Sequence, residues 1–258
     1  MDITKNAQVC AKTDVGLKRE QNEDSYLIIN RETKDIDIQN HGMMFAIADG
    51  MGGHAAGEIA SKMSCQGMAD YYSAKTDRPE GPGYFKAKLE HLKSSVYNVH
   101  NKIIEYGRIN REFEDMGTTL SILVLTKSKA LIAHVGDSRI YRLRQGFLEQ
   151  LTEDHSMAQL FIQMGYLTPE KVANHPIRHV MSQAVGQGID DIFRRIENVE
   201  RDDILLLCSD GLYDMVPDKE IRDILLNNPA QNDKCHRLVS RALENGGRDN
   251  VTVMVVQV

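Results

Sequence analysis

The chain is 258 residues long, 41% hydrophobic and 26% charged, with a formal charge of −6 and a pI near 5.9. These proportions suit a soluble globular protein with a substantial core, and the acidic balance argues against nucleic acid or an anionic membrane as partner, since both need a basic surface. No apolar run approaches membrane-spanning length, residues 1–14 lack an apolar signal core, and Cys10, Cys65, Cys208 and Cys235 form no C-x-x-C pair, so a cytoplasmic setting with reduced thiols is expected.

Residues 7–15 and 25–30 read as strands separated by the polar segment 16–24. After a turn-rich interval, 32–42, the apolar run 43–48 stops at Asp49, and Gly50, Gly52 and Gly53 follow. That pattern is a buried strand with a carboxylate at its end. Residues 54–74 change to helical spacing, with Ile59, Met63, Met68 and Tyr71 or Tyr72 along one side. The interval 76–83 carries prolines and glycines and is a loop. A second helix is predicted over 84–106, with Phe85, Leu89, Leu92, Val96, Val99 and Ile103 on its apolar face. Two hairpins follow, 118–126 with 129–135 and 138–143 with 147–151. Residues 156–180 are helical but interrupted by Gly165, Pro169 and Pro176, the pattern of an inserted flap. Strands return at 193–199 and 203–208, helices at 218–226 and 231–245, and the strand 251–256 closes the chain. Helices come in pairs and strands in runs, so an antiparallel α+β layered architecture is predicted rather than a doubly wound sheet. With no internal repeat or linker, residues 1–258 read as one domain.

The pattern at Asp49 recurs. Apolar residues 204–208 lead to Asp210 and Gly211, residues 131–135 lead to Gly136 and Asp137, and Gly246 and Gly247 precede Asp249 and the last strand. Each pair alone is a turn; four at the ends of apolar strands suggest carboxylates gathered at one edge of a sheet core. At 4 Å two such groups repel by roughly 4 kcal/mol at an effective dielectric of 20, so a cluster needs cations. All-oxygen donors select Mg²⁺ or Mn²⁺ over zinc, and two such ions can share a water and lower its pKa. Arg19, in the polar connection near Glu23 and Asp24, could fork two phosphate oxygens, although alone it reads first as a surface ion pair.

The segments TDVGLKREQNED (13–24), ADGMGG (48–53), MGTT (116–119), VGDSR (135–139), LTEDH (151–155), SQAVG (182–186), CSDG (208–211) and GRDN (247–250) resemble, in order, the motifs of the metal-dependent protein phosphatases, the type 2C or PPM family, in its compact bacterial form. The resemblance runs from about residue 10 to the C-terminus. It implies an α-β-β-α sandwich of two antiparallel sheets flanked by helices, with a small helical flap at about 156–180. It also implies a hydrolase that removes phosphate from phosphoserine and phosphothreonine in proteins, with two Mn²⁺ or Mg²⁺ ions and a looser third, without a covalent intermediate. Asp49 would bridge two metals with the Gly50 carbonyl on one of them; Asp210 and Asp249 would complete the set around the first metal. Glu23 and Asp24 would serve the second metal directly or through water. Asp137 would form the third site with Asp210, Arg19 would hold the substrate phosphate, Asn250 would orient Asp249, and Thr118 and Thr119 would support the cluster from the sheet. The partners implied are phosphorylated proteins and a Ser/Thr kinase that the enzyme opposes, with the chain itself a monomer. One departure stands out: Met51 occupies the position where animal relatives carry a histidine general acid. His54 is the candidate substitute, with helix capping or packing as its alternative; His155 is a weaker candidate.

Two other classes compete with this reading: a non-catalytic phosphoprotein-binding regulator, disfavoured because every metal aspartate is kept, and a hydrolase of small phosphoesters. Several superficial motifs are set aside. Cys235 and Arg241 match the bare Cys-x5-Arg pattern, but the residues between suit a helix and lack glycine. His175 and His179 have zinc-ligand spacing interrupted by Pro176. Gly50-x-Gly52 lacks the third glycine of a dinucleotide loop.

Overall fold

The computed structural model of the chain describes residues 2–52, 56–73, 81, 83–172, 175–227 and 230–258. In chain order the elements are β1 (Gln8–Asp14), β2 (Asp24–Ile29), α1 (Ile38–His41), β3 (Met43–Met51), α2 (Ala56–Gly67), α3 (Tyr84–Ile109), β4 (Gly117–Thr118), β5 (Leu120–Leu125), β6 (Lys129–Val135), β7 (Arg139–Arg144) and β8 (Phe147–Gln150). The flap follows as α4 (Met157–Gln163) and α5 (Pro169–Val172), then β9 (Phe193–Asn198), β10 (Ile204–Cys208), α6 (Asp210–Tyr213), α7 (Asp218–Asn227), α8 (Gln231–Glu244) and β11 (Val251–Gln257).

Among the described residues the strands form two antiparallel sheets, ordered β1-β11-β10-β7-β8 and β2-β3-β5-β6-β9, with β4 paired to β3. The continuous apolar runs of the central strands follow from burial on both faces. In β3, Met43, Phe45 and Ile47 belong to the layer between the sheets, with Leu205, Leu207, Met254 and Val256 from the other sheet. Met44, Ala46 and Ala48 face the opposite way, against Ala60, Leu92, Val96 and Val99 of α2 and α3. The outer face of the first sheet packs Leu206, Val253 and Val255 on Ile221, Leu225, Leu238 and Val239 of α7 and α8. The result is the expected α-β-β-α sandwich.

Three local expectations needed correction. First, β3 does not stop before Asp49; it runs on to Met51, because Gly50 and Met51 pair with Thr118 and Gly117. Second, the buried face of α2 is Ala56, Gly57, Ala60, Ser61, Ser64 and Cys65, with Ile59 and Met63 only partly buried, whereas Met68 and Tyr71 just beyond it are buried as expected. Small residues let this helix lie directly on β2 and β3, and Ser61 shares a 3.0 Å hydroxyl hydrogen bond with Ser25. Third, the cysteines are not all reduced: Cys10 of β1 and Cys235 of α8 form a disulfide, while Cys65 and Cys208 are free and buried. Sequence separation hid this pair, which meets because α8 packs on β1. Cys235 is thus excluded as a phosphatase nucleophile.

Candidate active site

The carboxylates expected at strand ends do assemble, and four connections do the work. In β2 and β3 the register sets Asp24 directly opposite Asp49. Asp210 opens α6, with Ser209 as its N-cap, just past the end of β10. Asp137 lies in the β6–β7 connection, and Asp249 just before β11. Asp49 is held by its backbone: its N–H donates to Thr119 Oγ1 at 2.9 Å, and its carbonyl accepts from Thr118 Oγ1 at 2.8 Å and from the Thr119 N–H at 2.9 Å. Thr118 and Thr119 therefore support the cluster through the main chain. At Gly50 a Cβ would stand 2.1 Å from the Gly57 carbonyl, so glycine is required for α2 to approach the strand this closely.

Electrostatics record the crowding. The Asp49 carboxyl is pushed well above the usual carboxylate range by burial, then by Asp24, Asp210, Asp137 and Asp249. Asp210 is raised likewise, by burial and then by Asp137, Asp249 and Asp214. Burial pushes Asp24 up to about 6; burial, followed by the Asp154 charge, pushes Asp137 up to about 7. Glu23 is raised by burial, opposed by Arg19. Such a cluster holds negative charge at a cost that a cation relieves.

The donor set fits a hard cation. Asp24 Oδ1 and Asp210 Oδ1 are buried and accept no hydrogen bond, so each leaves a carboxylate oxygen available to a ligand that the protein does not supply. Protein donors hold two other oxygens: Ser209 Oγ donates to Asp24 Oδ2 at 2.8 Å, and Arg19 Nη2 to Asp249 Oδ2 at 2.7 Å. Among the described residues, no three acidic, histidine or cysteine side chains are by themselves gathered tightly enough to grip an ion.

Arg19 and Asp249 sit on interlocked loops. Leu17 N–H donates to the Gly247 carbonyl at 2.7 Å, and Asn250 Nδ2 donates to the carbonyls of Val15 and Gln21, both at 2.9 Å. Asn250 Oδ1 accepts from the Glu23 N–H at 2.8 Å. Asn250 thus locks the Arg19 loop and the Glu23 backbone together, a wider task than orienting Asp249, whose Oδ1 accepts from the Asn250 N–H at 2.9 Å. The Arg19 side chain is 53% exposed at the mouth of this arrangement. Beside it a cavity of about 290 Å³ is lined by Asp210, Asp249, Arg248, Arg178 and Asp214. Arg178, from the flap, is ion-paired with Asp214 on the core.

His54 lies outside the described residues. His155 grips the Asp137 loop, its Nδ1 accepting from the Gly136 N–H at 3.2 Å and its own N–H donating to the Gly136 carbonyl at 2.7 Å. Residues missed from sequence include Ser209, Tyr213, whose hydroxyl donates to the Asp137 carbonyl at 3.0 Å, and Arg139, which makes a bidentate pair with Asp154 and stacks on the Tyr213 ring. Ser209 and Arg139 lie inside quoted motifs, so position was available as a signal; their partners were not.

A family model described as protein phosphatase 2C matches residues 20–249. The chain is 34% identical over 249 residues to a serine/threonine phosphatase stp of Listeria welshimeri, covering 95% of this chain and 94% of that protein. It superposes on the crystal structure of the Mycobacterium tuberculosis serine/threonine phosphatase PstP/Ppp with a TM-score of 0.83 and 34% identity, over 98% of each chain. A structure of the PstP catalytic domain in complex with two manganese ions matches with a TM-score of 0.79 and 34% identity, over 97% of each chain. The chain belongs to the protein phosphatase 2C family.

Proposed function

We propose that this chain is a metal-dependent protein phosphatase that hydrolyses phosphoserine and phosphothreonine monoesters in proteins. The observation that carries it is the convergence of Asp24, Asp49, Asp137 and Asp210, each raised in pKa, with buried oxygens of Asp24 and Asp210 left for an outside cation. In this reading Asp49, Asp210 and Asp249 with the Gly50 carbonyl hold one Mn²⁺ or Mg²⁺, Glu23 and Asp24 serve a second, and Asp137 with Asp210 takes a third. Bound there, the ions supply charge neutralisation and activation of water toward phosphorus.

The remaining work falls to side chains. Arg19 exchanges Asp249 for the substrate phosphate, its fork bonding two equatorial oxygens and stabilising the charge that grows on them during displacement. Asn250 keeps that loop and the Glu23 backbone in register. His54 is the candidate for protonating the departing serine or threonine oxygen. The flap, tied to the core through Arg178 and Asp214, borders the substrate groove. Residues 1–258 act as one catalytic unit, a monomer, on proteins phosphorylated by a Ser/Thr kinase. The names of the relatives support the substrate class, and the described residues contain no helix long and apolar enough to cross a membrane.

Phosphate release from a phosphoprotein, nucleotides and sugar phosphates, each with Mn²⁺ or with EDTA, tests the proposal. Mn²⁺-dependent release from phosphoprotein is the expected result. Its absence across a panel of phosphoproteins refutes the proposal, and preferential release from small phosphoesters moves the substrate class.

A further inference from the structure

The Asp137 loop and the end of β3 that carries Asp49 are joined by a bridge that no metal ligand supplies. Thr119 Oγ1, which accepts the Asp49 N–H, lies 2.7 Å from Ser138 Oγ. Ser138 immediately follows Asp137. Its carbonyl in turn accepts from Ser121 Oγ at 3.2 Å, and Ser121 Oγ shares a 2.8 Å hydrogen bond with His134 Nδ1. Thr119, Ser121, Ser138 and His134 are all buried. With its own proton given to the Ser138 carbonyl, Ser121 receives the proton of His134 Nδ1, which sets the imidazole tautomer. The chain therefore runs unbroken from a buried imidazole to the main chain of Asp49, away from water.

We propose that Ser138 is a positioning residue: through Thr119 it ties the loop of Asp137 to the backbone of Asp49, so that the two carboxylates move as one unit. The geometry points to this role because Thr119 Oγ1 is already committed to the Asp49 N–H, and the Ser138 carbonyl to Ser121 Oγ. Thr119 has no solvent to turn to if Ser138 is lost, and the Asp49 N–H has no second acceptor. A buried hydroxyl left half-satisfied loses its orientation, and the backbone it holds loosens with it. The methyl of Thr119 also packs against Gly136, where an added Cβ would fall 2.6 Å from Thr119 Cγ2, so the contact is steric as well as polar. The idea rests on the phosphatase reading above for the importance of Asp49 and Asp137, but the bridge itself is a property of the polypeptide.

The test compares wild type with Ser138→Ala, Thr119→Val (shape kept, hydroxyl lost), Thr119→Ser (hydroxyl kept) and the Ser138→Ala/Thr119→Val double variant. Amide hydrogen exchange in EDTA is read at Asp49, Mn²⁺ affinity by calorimetric titration, and kcat and KM on a phosphopeptide at saturating Mn²⁺. Expected are faster exchange of the Asp49 amide in Ser138→Ala, Mn²⁺ affinity reduced about tenfold, and a fall in kcat with KM for the peptide unchanged. Thr119→Ser, which keeps the hydroxyl but loses the methyl against Gly136, should fall between wild type and Thr119→Val, and the double variant should be no worse than Thr119→Val alone, since both break one connection. Unchanged Asp49 exchange in Ser138→Ala overturns the bridge. Faster exchange with unaltered Mn²⁺ affinity and kcat reduces it to a structural contact and overturns the positioning role. Wild-type protein that binds Mn²⁺ but releases no phosphate refutes the functional reading while the exchange and affinity data still decide the positioning role; wild type that binds no Mn²⁺ refutes the functional reading and the positioning role, and exchange in EDTA still decides the bridge.

Discussion

Replacing Asp24 by asparagine should stabilise the metal-free protein while damaging the metal-loaded one. Asp24 is buried opposite Asp49, and its carboxyl is pushed from 3.8 up to about 6, first by burial. At roughly 1.4 kcal/mol per pH unit, the gap between these two values is worth about 3 kcal/mol. Because the folded-state pKa is raised, this carboxyl binds its proton more tightly in the folded protein than in the unfolded chain. Its contribution to stability is fully present below pH 3.8, is lost as pH rises through about 6, and leaves the folded state carrying the burden at pH 7.5. Asparagine keeps an oxygen to accept from Ser209 Oγ and removes the charge. In EDTA at pH 7.5 the variant should therefore gain up to about 3 kcal/mol, or roughly 6–12 °C in Tm for a chain of this size. Below pH 4 the difference should vanish. Saturating Mn²⁺ should reverse the order once free metal reaches about a thousand times the wild-type Kd, where binding stabilises the wild type by about 4.1 kcal/mol and the variant, which has lost a carboxylate, by under about 1 kcal/mol. Thermal unfolding at pH 4, 5.5 and 7.5, with EDTA and with Mn²⁺, is the assay. A variant that is less stable than wild type in EDTA at pH 7.5 would refute the reasoning, because it would mean that the carboxylate holds the apo fold together.

Three further outcomes can be checked directly. Arg19→Ala should raise KM for a phosphopeptide about ten- to a hundredfold, the range for a hydrogen-bonded charge, with Arg19→Lys recovering only part because an ammonium lacks the fork; steady-state kinetics showing an unchanged KM would remove Arg19 from phosphate binding. Gly57→Ala places a Cβ 2.8 Å from the Gly50 carbonyl carbon and 2.9 Å from the Glu23 carboxyl carbon, which should cost about 1–3 kcal/mol by overpacking and weaken the Mn²⁺ response; a calorimetric scan indistinguishable from wild type counts against that close packing. Thiol titration of the denatured, unreduced protein should find Cys65 and Cys208 free, and Cys10→Ser should lower stability by about 2–5 kcal/mol by releasing the closed loop; titration of all the cysteines as thiols would show that the pair does not form.

Much of this was legible in the sequence alone. Apolar runs broken by aspartate and glycine marked the segments that carry Asp49, Asp137, Asp210 and Asp249, because a strand buried on both faces leaves no polar positions until it emerges at the site. The α3 stripe, Leu89 to Ile103 in steps of three and four, was readable for the same kind of reason, and its members are buried. The layer order followed from the grouping of helices and strands.

What tertiary structure decided involves partners rather than positions. Cys10 meets Cys235 only because α8 lies on β1. The small-residue face of α2 follows from the approach of Gly57 to Gly50, which no periodicity within the helix reveals. Ser209 finds Asp24 across 185 residues of sequence, and Asn250 reaches the carbonyls of Val15 and Gln21 from the other end of the chain. Hydrophobic patterning and turn chemistry report each segment's own burial and backbone, so they name the carboxylates. Sheet register and helix docking determine which distant hydroxyl, amide or thiol meets each one, and those follow from packing the layers together.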